Sequence, residues 1–287
     1  MDRFEVLREL GLTPVWRLRK PHETPANPLP LEPSLTDRSA SAPRAPAHRS
    51  TTLANAASDV GVHLDAGASL ELPSPGVADV DDGKSRAAER AAHIAALSWT
   101  DFAADVAACT ACALCRTRKL SVPGVGDTQA EWMFVGEAPG SEEDARGEPF
   151  VGQAGRLLDN MLAALGLQRN QRVYIANVLK CRPPNNRAPE PAEAESCRPY
   201  LDRQIELIQP KIIVALGRSA ATALLRSDQT VASLRGRVHR YQAVPLIVSY
   251  HPAYLLRNLP DKAKAWEDLC LARATLRGLQ VAPTPQS

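Results

Sequence analysis

Aromatic residues make up only 5% of this 287-residue chain. No apolar run approaches the ~20 residues that cross a bilayer, so a membrane partner is not expected. The first twenty residues carry scattered charges and lack the apolar stretch of a secretory signal, which points to a cytoplasmic protein, in a bacterial-type cytoplasm or nucleoid. A dominant charge of one sign is also missing, since the net charge is +2. Residues 1–95 hold 11 Lys/Arg against 13 Asp/Glu, and residues 96–287 hold 23 against 19. A mildly basic C-terminal part is compatible with a nucleic-acid partner without requiring one. Cysteine is sparse at six residues. In a reducing compartment such cysteines point to metal binding or catalysis before disulfides.

What is present divides the chain in two. Ten of the 24 prolines fall in residues 1–95. Residues 1–20 include Phe4, Val6, Leu7, Leu10, Leu12, Val15, Trp16 and Leu18, a short apolar element that either docks on its own domain or serves a partner protein. Residues 21–86 are rich in Pro, Ala, Ser and Asp and bury too little apolar surface to offset their ordering entropy, so a disordered linker is expected there. A folded domain is expected over 87–280, with a disordered tail at 281–287.

Within that domain Ala91, Ile94, Ala95, Leu97, Phe102 and Val106 carry a helical pattern up to the first cysteines. Short strands are expected at Trp132–Val135, Val173–Ala176, Lys211–Leu216 and Leu246–Val248, alternating with helices at Ala154–Leu167, Glu190–Ile208, Ser219–Leu225 and Lys262–Leu279. The run at 211–216 is apolar without alternation, as in a strand covered on both faces. Strands separated by helices predict an α/β fold with a parallel sheet between helical layers.

In such sheets ligands bind beyond the carboxyl ends of the strands. That rule picks out Gly136-Glu-Ala-Pro-Gly140 with the acidic run Glu142-Glu143-Asp144, then Asn177, then His251-Pro-Ala-Tyr-Leu-Leu-Arg-Asn258. A glycine turn or a lone histidine is usually structural. Three such ends on one rim offer a carboxylate, an amide and an imidazole together. Separately, Cys109-Thr-Ala-Cys112, with Cys115 beyond it, pairs with the distant Cys181 and Cys197. Four thiolates from two segments can ligate zinc or an iron–sulfur cluster, and thiolate softness does not choose between them. Cys270, between Leu269 and Leu271, reads as a small core residue.

The ordered set Cys109-x2-Cys112, Gly136-Glu-Ala-Pro-Gly140, Glu148-Pro-Phe-Val-Gly152, Asn177-Val-Leu-Lys-Cys181-Arg-Pro-Pro184, Cys197 and His251-Pro-Ala-Tyr254 resembles family 4 uracil-DNA glycosylase, from about Trp99 to Leu279. The resemblance does not reach residues 1–95. It implies a three-layer α/β/α sandwich with a four-stranded parallel sheet, and a [4Fe–4S] cluster on Cys109, Cys112, Cys181 and Cys197, with Cys115 left free. It also implies base-excision repair of uracil-containing DNA by a monomeric hydrolase that leaves an abasic site. Its uracil site would comprise Gly136, Phe150 as stacking platform and Asn177 as reader of the pyrimidine edge. His251 would stabilise the leaving uracil anion. Glu137 is the expected water-positioning carboxylate, with Glu143 and Asp144 as reserves, because Ala138 stands where another branch of the superfamily carries aspartate. Leu255 or Leu256 would wedge into DNA, with Arg257 on phosphate and Arg182, Asn186 and Arg187 nearby. The competing class is a non-catalytic iron–sulfur module that only binds nucleic acid. Relatives that form a covalent DNA adduct carry an Arg-rich insertion ending in His; Gly236-Arg-Val-His-Arg240 is a different pattern, expected on a hairpin.

Overall fold

The computed structural model describes residues 79–281, with side chains described over 85–279. The apolar element at 1–20, most of the 21–86 segment and the 282–287 tail lie outside the described residues. Strands and helices alternate after two leading helices, α1 (Asp79–Ala95) and α2 (Trp99–Ala108). Helix α1 therefore begins inside the segment expected to lack structure. Its C-terminal half explains this: Ile94 is buried with Phe102, Val106 and Tyr200, so tertiary packing supports a helix that composition alone does not. The helical pattern read as continuous across 91–106 is broken at residues 96–98, where Ser98 takes extended dihedrals and starts α2 afresh.

The sheet has six strands, β1 (Val125–Gly126), β2 (Trp132–Gly136), β3 (Val173–Asn177), β4 (Ile212–Leu216), β5 (Val238–Tyr241) and β6 (Val244–Ser249), in the order β1-β3-β2-β4-β6-β5. The expected four parallel strands are its centre, β3-β2-β4-β6. The four-stranded expectation is corrected at both edges, where β1 and β5 add antiparallel strands. β5 and β6 form the expected hairpin. β1 has only two residues, too short to leave a periodicity.

Alternating residues of each central strand face opposite layers. Trp132 and Phe134 pack with Leu158 and Leu162 of α4 (Gln153–Ala164) and with Leu269, Ala272 and Leu276 of α9 (Asp261–Val281). Met133 and Val135 pack on the other side with Leu201, Ile205 and Ile208 of α5 (Pro191–Ile208), and with Ala220, Ala221 and Leu224 of α6 (Arg218–Leu225). Each fully buried Leu on these faces contributes about 2 kcal/mol of transfer free energy. The remaining helices are short: α3 (Ser141–Arg146), α7 (Val231–Leu234) and α8 (Pro252–Leu255). No helix among the described residues is long and apolar enough to cross a membrane.

The chain runs from β2 to β3 on one side and then returns to β4 on the other. Strand order therefore reverses at β2, and the crevice at the carboxyl ends of β2 and β4 is where α/β sheets bind ligands. The β6 end is secured from below by Asp268, which is fully buried on α9 and accepts from Ser249 Oγ at 3.0 Å, Arg235 Nε at 3.1 Å and the Gly236 N–H at 3.2 Å. Asp268→Ala leaves the buried Ser249 hydroxyl without its acceptor and removes the carboxylate from Arg235, and is expected to cost about 2 kcal/mol, read as a lower urea midpoint at unchanged slope.

Candidate active site and thiol cavity

The register pairs Gly136 of β2 with Asn177 of β3, so the two strand ends lie side by side. A Cβ on residue 136 would lie 2.5 Å from Asn177 Oδ1 and 2.6 Å from Phe150 Cζ. Glycine here lets an amide and an aromatic ring close on the backbone from two directions. Phe150 takes a left-handed conformation, φ 55°, which is costly for an aromatic residue and is held from both sides. Arg169 donates to the Pro149 carbonyl at 3.0 Å and the Phe150 carbonyl at 2.6 Å. Glu143 accepts the Val151 and Gly152 N–H groups at 2.9 and 3.1 Å, and that of Gly140 at 3.0 Å. Gly155 lies so close beneath that a Cβ there would meet the Phe150 carbonyl oxygen at 1.7 Å.

His251 follows β6 and caps α8. Its Nδ1 accepts the Ala253 N–H at 3.2 Å, which leaves the ring proton on Nε2 in the neutral imidazole. The ring lies 5.4 Å from that of Phe150 at 29°. Burial, helped by the Arg257 cation and opposed by Glu143, lowers its pKa to about 4. Glu137, at the end of β2, accepts a 2.6 Å hydrogen bond from Ser219 Oγ across the strand-order reversal.

Glu137, Gly140, Glu143, Phe150, Asn177, His251, Tyr254 and Arg257 line one pocket of about 520 Å³, within the ~300–1,000 Å³ range of small-molecule sites. Asn177 is 2% exposed, and its Oδ1 has no hydrogen-bond partner among the described residues. A buried acceptor without a partner costs roughly 1–3 kcal/mol, a cost that a ligand donor removes. The expected members Gly136, Glu137, Phe150, Asn177 and His251 thus converge. The reserve carboxylates do not form a solvated acidic loop. Glu143 clasps three backbone N–H groups, and Asp144 is 2% exposed and accepts the Lys119 N–H at 2.9 Å. Leu255 is corrected as a DNA wedge: it is 1% exposed and packed beneath α8, whereas Leu256 is 39% exposed. Arg187 at the rim is engaged by Glu193, at 2.6 Å, and by Glu190. Ser219 was missed, although the strand-end rule applied to β4 would have found it.

Behind β3, Cys109, Cys112, Cys115, Cys181 and Cys197 line one small cavity with Arg118, Lys180 and Tyr200. Cys181 and Cys197 are buried and the other three partly buried. Arg118 donates to Cys181 Sγ at 2.9 Å, Arg90 to Cys109 Sγ at 3.4 Å, and the Lys180 N–H to Cys197 Sγ at 3.4 Å. Burial pushes the Cys197 thiol up to about 11 and raises that of Cys181. Among the described residues no three His, Cys, Asp or Glu side chains meet closely enough to hold one metal ion. Cys270 takes no part in the cavity and is only partly buried on α9.

Fold and pocket together define an α/β domain with a cavity of aromatic and hydrogen-bonding groups at its strand-order reversal, and a separate cavity lined by thiols. The sequence pattern of the Uracil DNA glycosylase superfamily matches residues 123–270. A type-4 uracil-DNA glycosylase of Archaeoglobus fulgidus is 48% identical over 167 residues, 55% of this chain and 83% of the relative. The type-4 enzyme of Sulfurisphaera tokodaii is 48% identical over 57% of this chain and 78% of its own length, and that of Thermotoga maritima 42% identical over 59% and 90%. The chain belongs to the type-4 branch of the uracil-DNA glycosylase superfamily.

A folded-state pKa near 4 makes His251 neutral through the physiological range. The unfolded chain, titrating at ~6.5, binds more protons below that value, so this residue's share of stability is full above pH 6.5 and falls as pH drops from there towards 4. NMR titration of His251 should give a midpoint near 4, and Arg257→Ala should raise it by removing the nearby cation. A midpoint near 6.5, unmoved by Arg257→Ala, contradicts this account.

Proposed function

We propose that this protein extrudes uracil from DNA and hydrolyses its N-glycosidic bond, leaving an abasic site for base excision repair. The observation that carries the reading is the unpartnered, buried Asn177 Oδ1 in a pocket shared with Phe150 and a neutral His251. A base stacked in a duplex cannot reach this pocket, so the nucleotide must rotate out. Phe150 offers its face to the ring. Asn177 Oδ1 accepts from uracil N3–H while its amide nitrogen donates to O4. Cytosine reverses that pattern, leaving Oδ1 against a lone pair and Nδ2 against an amino group.

Bond cleavage puts negative charge on the departing ring and positive charge on the sugar. His251, its Nδ1 occupied by the Ala253 N–H, keeps Nε2–H as a donor for uracil O2 without adding a net charge. Glu137 is the pocket carboxylate left to position water: Ser219 holds one of its oxygens, while Glu143 and Asp144 are committed to backbone N–H groups. Leu256 fills the gap in the duplex and Arg257 meets phosphate. The enzyme would act as a monomer in the cytoplasm or nucleoid.

The thiol cavity suits a [4Fe–4S] cluster. Cys109, Cys112, Cys181 and Cys197 would hold it, and Cys115 lines the same wall. Four thiols from two segments on one cavity are a donor set that fits an iron–sulfur cluster. N–H donors from Arg90, Arg118 and the Lys180 backbone support thiolate charge. When bound, the group ties the segment before β2 to the segment after β3.

Cluster-loaded protein should cut a labelled oligonucleotide at its single uracil after alkali treatment, and leave a cytosine control intact. His251→Leu should lower the single-turnover rate by about 10²–10³, the usual loss of one anion-stabilising donor. DNA binding without scission by loaded wild-type protein would instead identify a binding module. Leu256→Ala should cost about tenfold on duplex substrate and little on single strands, because only the duplex leaves a gap to fill. Leu255→Ala should instead lower stability by about 2–3 kcal/mol in urea, as for a buried leucine.

A further inference from the structure

Lys180 lines the thiol cavity, and its side chain reaches back to the strand end that carries Asn177. It is 1% exposed, the only lysine in the buried polar set of the described residues. Its Nζ donates to the Asn177 carbonyl at 2.7 Å and to Gln204 Oε1 at 2.6 Å. Gln204 is itself fixed, donating to the Pro123 carbonyl at 2.7 Å and to Tyr174 Oη at 3.0 Å. Both acceptors of the ammonium are neutral. Among the described residues no carboxylate pairs with it, although a buried cation without counter-charge is costly. The groups within electrostatic reach that can become anionic are Cys197 and Cys181. Metal ligation requires cysteine in the thiolate form, so a loaded cavity supplies that counter-charge.

The Asn177 carbonyl lies just past the last β2–β3 pair. Beyond it, the Val178 and Leu179 N–H groups donate to the carbonyls of Gly136 and Glu137 at 3.0 and 3.1 Å. These bonds set one side of the turn and Lys180 Nζ sets the other. The peptide group after Asn177 is therefore fixed, and with it the direction in which the Asn177 side chain leaves the backbone.

We infer that Lys180 is a positioning residue: its buried ammonium holds the Asn177 carbonyl and so aims Asn177 at the extruded base, while its backbone N–H meets the Cys197 sulfur. This rests on the assignment of Asn177 as the base reader. Lys180→Met keeps the length of the side chain and removes both charge and donors. Lys180→Gln keeps a neutral donor.

The test uses cluster-loaded protein, with cluster content measured by visible absorbance and affinities expressed per loaded molecule. Each variant is titrated with an oligonucleotide carrying 2′-fluoro-deoxyuridine, whose glycosidic bond resists cleavage, and with the same strand carrying cytosine there. Lys180→Met should lower the uracil-to-cytosine affinity ratio at least tenfold, with cytosine-strand affinity within twofold of wild type. Lys180→Gln should recover part of the ratio. A wild-type ratio in Lys180→Met overturns the inference. So does an equal fall in both affinities, which marks a general structural role. If Lys180→Met does not fold, Lys180→Gln alone decides, with a reduced ratio expected and an unchanged one overturning. Asn177→Ala separates the two readings. If it retains the ratio, the base-reading assignment fails and the inference with it. If it loses the ratio while Lys180→Met does not, only the role of Lys180 fails.

Discussion

At residue 136 the backbone is approached so closely that even one methyl group would collide with both an amide and a phenyl ring. The rest of the site is arranged around that close approach. It depends on the β2–β3 register, because a shift of one residue would bring Ala176 or Val178 beside Gly136 in place of Asn177. It also depends on the left-handed Phe150, whose dihedral strain is offset by Arg169 on one carbonyl and Glu143 on the next two N–H groups. The acidic loop after β2, which composition presents as solvated surface, is the clasp that keeps the stacking platform in place.

A second consequence concerns charge. The pocket is lined by Glu137, Glu143 and Arg257, yet Asn177 and His251, the polar groups proposed to meet the base, are neutral. Neutral donors and acceptors read the edge of an uncharged base by pattern, where a fixed charge would attract many ligands alike. Two guanidinium cations lie at the thiol cavity, where Arg118 and Arg90 donate to Cys181 and Cys109 sulfur and the Lys180 backbone N–H donates to that of Cys197. The Lys180 ammonium turns instead to the Asn177 carbonyl and Gln204.

Much of the molecule was readable beforehand. The four central strands are mostly apolar and are buried along their length but for Val244 at the start of β6, so the parallel sheet followed from pattern. The strand-end rule found Gly136, Asn177 and His251 because their types are unusual at such ends. It passed over Ser219 because a serine at the start of a helix looks like an ordinary terminus. Lys180 went unnoticed as a buried cation, because a lysine next to a cysteine and an arginine reads as surface. Edge strand β1 escaped because two residues leave no periodicity, and β5 was legible only as a hairpin at residues 236–240.

The sequence by itself determined the chemical inventory and its order along the chain: five cysteines in two groups, glycine where backbone must be bare, one amide and one imidazole at strand ends. Periodicity and residue type carry that information locally. Only the tertiary structure decided which of several equivalent residues is available. Leu255 and Leu256 are adjacent and chemically identical, and one is buried because the single turn of α8 points it inward. Glu137, Glu143 and Asp144 are all carboxylates, and the latter two are consumed by backbone N–H groups from Lys119, Gly140, Val151 and Gly152. Those partners come from other turns of the chain, and no local pattern specifies which turns will meet.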